Sequence, residues 1–257
     1  MKHILTTFSF VFMLSSCNLG GEKLSQIKIS EVAFNSLKTV RKPDFNSTKK
    51  FVLGKFDYKS DSTFSKISPP YSSKELYLNM QVTDAFLDMY NAAKTDKIEL
   101  KIISGTRNFK EQKVIWERKW KKHHNLKPLQ RALKILEYSS MPSSSRHHWG
   151  TDIDINSLNN SYFHSGKGLK EYEWLKTYAN DFGFYQVYTA KDKDRAGYNL
   201  EKWHWSYLPL ASKYLEFYNK YIINEYINGF SGYEQAQEVK IIKDYVNGIS
   251  KKAKDYN

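Results

Sequence analysis

The chain has 257 residues, with 40 Lys+Arg against 27 Asp+Glu, and its net charge of +13 implies an anionic partner: nucleic acid, an acidic membrane surface or an acidic polymer. An apolar fraction of 40% with 16% aromatics excludes a mainly disordered chain and suffices for a substantial core. The single cysteine excludes an intramolecular disulfide and a Cys-rich zinc module, while twelve glycines and six prolines exclude a collagen-like or low-complexity architecture.

Met1-Lys2-His3 is a short basic start, and Ile4 to Leu14 is a mostly apolar run. About eleven residues fall short of the roughly 20 that span a bilayer but suit the apolar region of a signal peptide. The run ends in Leu14-Ser15-Ser16-Cys17, which resembles the lipobox of bacterial lipoproteins. That resemblance implies a signal peptide over 1–16, a lipid on Cys17, and a mature chain held on a bacterial membrane outside the cytoplasm. Residues 17–50 are polar, with Gly20-Gly21 and basic pairs at Arg41-Lys42 and Lys49-Lys50, and read as a tether. There is no internal repeat and no second apolar run long enough to cross a membrane.

Val82, Ala85, Phe86, Met89 and Ala93 lie at helical spacing, a stripe best explained by core packing. Ile98, Leu100 and Ile102 alternate with Glu99 and Lys101, which predicts a half-buried strand running into Ser104-Gly105. Helices are predicted from Phe109 to about Lys122, from Leu129 to Tyr138 and from Leu169 to Phe182. Strands are predicted at Asp152–Ile155, Phe184–Tyr188 and Trp203–Tyr207. From Leu208 onward the pattern is helical, interrupted near Gly229 to Gly232. Strands separated by helices and long loops predict an α+β fold: one domain over 51–210, with a small antiparallel sheet flanked by helices. Residues 211–257 form a C-terminal helical extension packed on it, with no functional signature.

The seven histidines are unevenly placed. His3 belongs to the signal, His123 and His124 to a solvated basic helix end, and His164 to a loop. The other three fall in two segments, Pro142-Ser143-Ser144-Ser145-Arg146-His147-His148-Trp149-Gly150-Thr151-Asp152-Ile153-Asp154 and Gly197-Tyr198-Asn199-Leu200-Glu201-Lys202-Trp203-His204-Trp205. A catalytic zinc site needs three protein ligands and an open position, which two His and one Asp provide, with a nearby Glu to take a proton from water.

Ser145-x-His147-x-x-Gly150-x-x-x-Asp154, followed by Glu201-x-Trp203-His204, resembles the VanY-like D-alanyl-D-alanine carboxypeptidases, zinc peptidases that trim peptidoglycan stem peptides. Upstream, Ser104-Gly105-Thr106-Arg107 and then Gln112 resemble the family's SGxR element. The blocks occur in the family's order over roughly residues 80 to 210. The resemblance implies Zn2+ at the sheet, held by His147, Asp154 and His204, and Glu201 as general base and then acid. It also implies that Arg107 stabilises the oxyanion or grips a substrate carboxylate, that Ser145 and Gln112 are substrate contacts, and that Trp203 shapes the pocket or holds the sheet. Two positions depart from the family's usual pattern, Ser143 (often Gly) and Asp152 (often Ala). Residues two apart on a strand share a face, so Asp152 either competes with Asp154 or orients a ligand histidine. On a strand, neighbours point oppositely, so only one of His147 and His148 can serve; the motif selects His147 and leaves His148 to the pocket wall.

The expected activity is zinc-dependent hydrolysis of peptidoglycan stem peptides, with a carboxypeptidase favoured over an endopeptidase of the L-alanyl-D-glutamate type. A non-catalytic wall-binding lipoprotein is the second reading, disfavoured because the ligand positions, Glu201 and Arg107 are all present. Nucleic-acid binding is the third; no recognised motif supports it, and the signal segment opposes it.

Overall fold

A computed structural model describes residues 45–191 and 195–256. The expected signal peptide, Cys17 and the tether up to residue 44 lie outside these residues. The described chain begins in a helix, α1 (Phe45–Val52), which buries Val52. A hairpin of β1 (Phe64–Ile67) and β2 (Leu76–Asn79) follows, paired antiparallel from Phe64 opposite Asn79 to Ile67 opposite Leu76. Asn79 then caps α2 (Met80–Thr95), its side chain accepting from the Gln81 amide. The predicted stripe is the buried face of α2, with Val82, Phe86, Met89 and Ala93 inside.

The chain continues through β3 (Ile102–Ser104), α3 (Phe109–Lys122), α4 (Pro128–Ile135), β4 (Asp152–Ile155), α5 (Gly166–Tyr178), β5 (Phe184–Gln186), β6 (His204–Tyr207), α6 (Leu208–Tyr221) and α7 (Lys251–Lys254). An Asn108–Glu111 capping box starts α3, each side chain bonding the other's backbone amide. The alternation beginning at Ile98 enters regular pairing only at Ile102, because Asn156 ties up the segment before it, its side-chain amide donating to the Glu99 carbonyl. The Lys101 amide goes to the Asn156 side chain and the Ile102 amide to the Tyr71 carbonyl. The helix expected to run to Phe182 ends at Tyr178 in a 3-10 turn closed by Gly183 at φ +81°.

The main sheet has the order β3-β4-β6-β5 and is antiparallel throughout. Its alternation sorts two chemistries. Ile153, Ile155 and Trp205 enter a core with Ile102 and Phe184, covered by Phe86 and Met89 of α2 and by Trp174 and Leu175 of α5. Asp152, Asp154, His204 and Ser206 occupy the alternate positions, so they share the opposite face.

A second core lies among α1, α3, α4 and the C-terminal segment, joining Val52, Trp116, Ile135, Trp149, Tyr218, Phe230, Ile241 and Val246. The Trp149 indole donates to the Val52 carbonyl and the Trp116 indole to the Ser231 carbonyl, so both ends of the described chain are pinned to this core. After α6 the tail is irregular, with short 3-10 turns and a six-residue π-helical turn at Ile241–Val246. Among the described residues no helix is long and apolar enough to cross a membrane.

Candidate metal and active centre

Strand register builds the centre. Ser104 on β3 faces Asp154 on β4, and Asp154 faces His204 on β6, so three polar side chains form one row across the sheet. His147 arrives from a 3-10 turn, Arg146–Trp149, which ends at Gly150 with φ +69°. A Cβ there would lie 2.4 Å from Phe64 Cε1 as well as in the left-handed region, so the glycine of the motif lets the turn close against the hairpin.

His147, Asp154 and His204 each present one ligand atom, all within 4.8 Å of one another and all buried. Each histidine is oriented by an acceptor behind it. His147 Nδ1–H donates to the Gly105 carbonyl at 2.9 Å, which leaves Nε2 free, 3.5 Å from Asp154 Oδ2. His204 Nε2–H donates to Asp152 Oδ2 at 2.8 Å, and its Nδ1 lies 3.1 Å from Asp154 Oδ1. Two imidazole nitrogens and a carboxylate, with the ring tautomers set by outer partners, is a donor set that fits a zinc-type ion.

The same register settles Asp152, which is fully buried behind the row. Oδ2 accepts from Arg146 Nε at 2.9 Å and from His204; Oδ1 accepts from the Thr151 and Ser206 hydroxyls at 2.7 and 2.8 Å. Every lone-pair direction is used, so Asp152 orients a histidine and does not compete with Asp154.

Burial opposes charge throughout this cluster, and the partners decide the outcome. Burial raises the Asp152 and Asp154 carboxyls, but Arg146 and His204 around the first and His147 and His204 around the second hold both well below the usual range. Burial lowers His204, yet its hydrogen bonds to Asp152 and Asp154 win and push it up to about 9. His147 goes the other way, lowered by burial and by the Arg107 charge.

Glu201 sits in the turn before β6, its backbone N–H bonded to the Tyr188 carbonyl, and its Oε2 is 3.7 Å from His204 Nδ1. Burial pushes its carboxyl up to about 8, against the pull of His204 and Arg107. Arg107 precedes α3; its Nε donates to Gln112 Oε1 at 3.1 Å and its Nη1 to Ser104 Oγ, 4.0 Å from Asp154 Oδ2. Ser104, Arg107, Gln112, His147, Asp154, Glu201 and His204 line one cavity of about 560 Å³, with Trp203 and Tyr188 in its wall. The Tyr188 ring packs on His204 with centroids 4.6 Å apart.

Three expectations change in the structure. His147 and His148 lie on a 3-10 turn and not on a strand, so the alternation argument does not govern them. His148 is buried away from the cavity: Nδ1–H donates to the Arg107 carbonyl at 2.6 Å and Nε2 accepts from the Ser143 amide at 3.1 Å. It braces the Arg107 backbone and is no pocket wall. Ser145 is 1% exposed and outside the cavity lining, so it does not reach the space a substrate would occupy. Gln112 does line the cavity, but its oxygen holds Arg107 and its nitrogen donates to the Ser140 carbonyl at 2.8 Å, so it positions Arg107.

Tyr188, Arg118 and Lys119 also line the cavity and escaped sequence reading. Lys119 was legible in principle, since it follows Gln112 by seven residues on one helix and so lies near the same face.

A profile of the VanY family, described as D-alanyl-D-alanine carboxypeptidase, matches residues 75–210. YodJ of Bacillus subtilis (strain 168), named a carboxypeptidase by assignment, is 30% identical over 134 residues, 51% of this chain and 46% of that protein. A D-alanyl-D-alanine carboxypeptidase of Enterococcus faecalis (strain ATCC 700802 / V583) is 24% identical over 153 residues, 59% of this chain and 56% of that protein. The chain thus spans about half the length of the curated relatives it matches. Among solved structures, the LdcB LD-carboxypeptidase superposes with a TM-score of 0.50 at 25% identity, covering 67% of this chain and 79% of that one. The matched span contains Arg107, His147, Asp154, Glu201 and His204, and on that match the chain belongs to the VanY family of D-alanyl-D-alanine carboxypeptidases.

Proposed function

We propose that the chain is a zinc-dependent peptidase that removes the C-terminal D-alanine from peptidoglycan stem peptides. The observation that carries this reading is the His147–Asp154–His204 donor cluster sharing one cavity with Glu201 and Arg107, inside the segment that matches the family. When bound, zinc supplies Lewis acidity, which brings the pKa of water at such a site to about 7. The chain supplies the rest. His147 Nε2, one Asp154 oxygen and His204 Nδ1 would hold the ion. Glu201 takes the proton of the attacking water and returns it to the leaving amine, a task suited to a carboxyl whose proton affinity burial has raised. Arg107, fixed by Ser104 and Gln112, presents its guanidinium to the oxyanion or to the substrate's terminal carboxylate. No serine or cysteine nucleophile is needed.

Zinc-loaded protein lacking residues 1–16 is expected to bind about one zinc per chain and to convert a stem pentapeptide to the tetrapeptide plus D-alanine, read by mass spectrometry. Cleavage between L-alanine and D-glutamate would make it an endopeptidase, and bound zinc without any product would leave a wall-binding protein. We further propose that Cys17 carries a lipid and places the domain on a bacterial membrane outside the cytoplasm, where its excess positive charge meets anionic wall polymer and headgroups. Cys17→Ala moving the protein from the membrane to the soluble fraction is the expected result, and membrane retention of that variant contradicts it.

A further inference from the structure

The cavity that holds the metal-type cluster carries more positive charge than the cluster uses. Arg107, Arg118, Lys119 and Arg146 line it against Asp154 and Glu201. Arg146 is spent on Asp152, and Arg107 on Ser104, Gln112 and Asp154. Arg118 and Lys119 have no carboxylate within 4.0 Å among the described residues. They stand in the last turns of α3. The dipole of that helix end favours cations, but Lys121 and Lys122 already supply them and are exposed. Lys119 instead turns inward, half-buried, and donates to Ser139 Oγ in the opposite wall. The Gln112–Ser140 bond ties the same wall to the start of the helix, so the ammonium is held in place and not left to swing in solvent. Burial, and then the neighbouring Arg118, depress the Lys119 pKa against the pull of Glu201, as expected of a cation partly stripped of water with no acid in direct contact.

We propose that Arg118 and Lys119 form a second anion subsite, which takes a free carboxylate on the substrate peptide upstream of the bond cut; the inference rests on the peptidase reading above. The spacing follows from the helix. Gln112 grips Arg107 beside the metal-type cluster, and Lys119 lies seven residues on, about 10 Å along the axis at roughly 1.5 Å per residue. An extended peptide rises about 3.3 Å per residue, which places the second carboxylate about three residues from the one at Arg107. A substrate with two carboxylates so spaced engages both ends of the cavity, and one whose upstream carboxylate is an amide engages only the first.

The test uses two peptides that end in D-alanyl-D-alanine and differ only in a free carboxylate or a carboxamide at the upstream position. Zinc-loaded wild type is expected to favour the carboxylate peptide about tenfold in kcat/KM, about 1.4 kcal/mol, mainly through KM. Lys119→Met, and Arg118→Met at the exposed neighbour, should bring that ratio toward one at unchanged melting temperature. Equal kcat/KM values for wild type, or a preference that survives in Lys119→Met, would overturn the subsite while leaving the peptidase reading intact. If wild type cleaves neither peptide, the peptidase reading falls and calorimetric binding of the same two peptides decides the subsite. Tighter binding of the carboxylate peptide, lost in Lys119→Met, supports it, and equal affinities overturn it.

Discussion

Asp152→Asn separates the structural and metal-holding parts of the centre. The side chain is fully buried and accepts four hydrogen bonds, from Arg146, His204, Thr151 and Ser206. Asparagine keeps the shape and one oxygen but removes the charge that offsets the buried Arg146 guanidinium. Leaving one member of a buried pair uncompensated costs about 3–5 kcal/mol, which for a chain of this size lowers the melting temperature by on the order of 10 °C. The amide also no longer dictates which nitrogen of His204 carries the proton, and losing such an outer partner weakens metal binding about 10–100-fold. Thermal melts and zinc competition against a chromophoric chelator read the two effects. The double variant Arg146→Met/Asp152→Asn, in which no charge is orphaned, should recover much of the stability but little of the zinc affinity. Wild-type values for both quantities in Asp152→Asn would refute the reasoning, and so would a double variant that regains zinc affinity together with stability.

Gly150→Ala puts a Cβ 2.4 Å from Phe64 at φ +69° and should cost about 2–4 kcal/mol in urea melts; native stability would contradict the strain argument. Chelation should lower the melting temperature by on the order of 10 °C, since an ion at about 1,000 times its Kd adds about 4 kcal/mol; zinc should restore it, and an unchanged melt would argue against a bound ion. Glu171 is a buried carboxyl, 1% exposed at the side chain, whose pKa burial raises despite its bond from the Tyr162 hydroxyl. The folded state therefore holds this proton more tightly than the unfolded chain, so the group favours folding below the ordinary glutamate range and loses that contribution as pH rises through its raised pKa. Glu171→Gln should gain stability over wild type at neutral pH and approach it toward pH 4; a difference that does not vary with pH would contradict the burial argument.

Where local chemistry determines structure, the sequence was legible. The bounds predicted for α3 hold because Asn108 and Glu111 are a capping pair, and β4 was visible from Asp152-Ile153-Asp154-Ile155 alternating at the strand period. The grouping of His147, Asp154 and His204 came from the resemblance to the VanY family's motifs, and strand register supplies its physical cause. What depends on register could not be read along the chain. Asp152 owes its role to Arg146 in the preceding turn and to Ser206 and His204 across the sheet. Ser145 and His148 were misplaced because the Arg146–Trp149 segment coils into a 3-10 turn, which turns His148 behind Arg107. The β1–β2 hairpin went unseen because Phe64-Ser65-Lys66-Ile67 and Leu76-Tyr77-Leu78-Asn79 show no apolar–polar alternation, and their burial follows no strand period. In the C-terminal tail, apolar residues such as Ile222, Ile227 and Phe230 enter the core from irregular backbone, so no single period describes them.

The central claim is that Glu201 works on water beside an ion held by His147, Asp154 and His204. The most direct measurement is D-alanine release from a stem pentapeptide by zinc-loaded wild type and Glu201→Gln, with zinc content determined on the same samples. Wild type should release D-alanine, and Glu201→Gln should keep about one zinc per chain while its turnover falls at least about 100-fold. A metal-loaded Glu201→Gln that releases D-alanine at the wild-type rate would contradict the account.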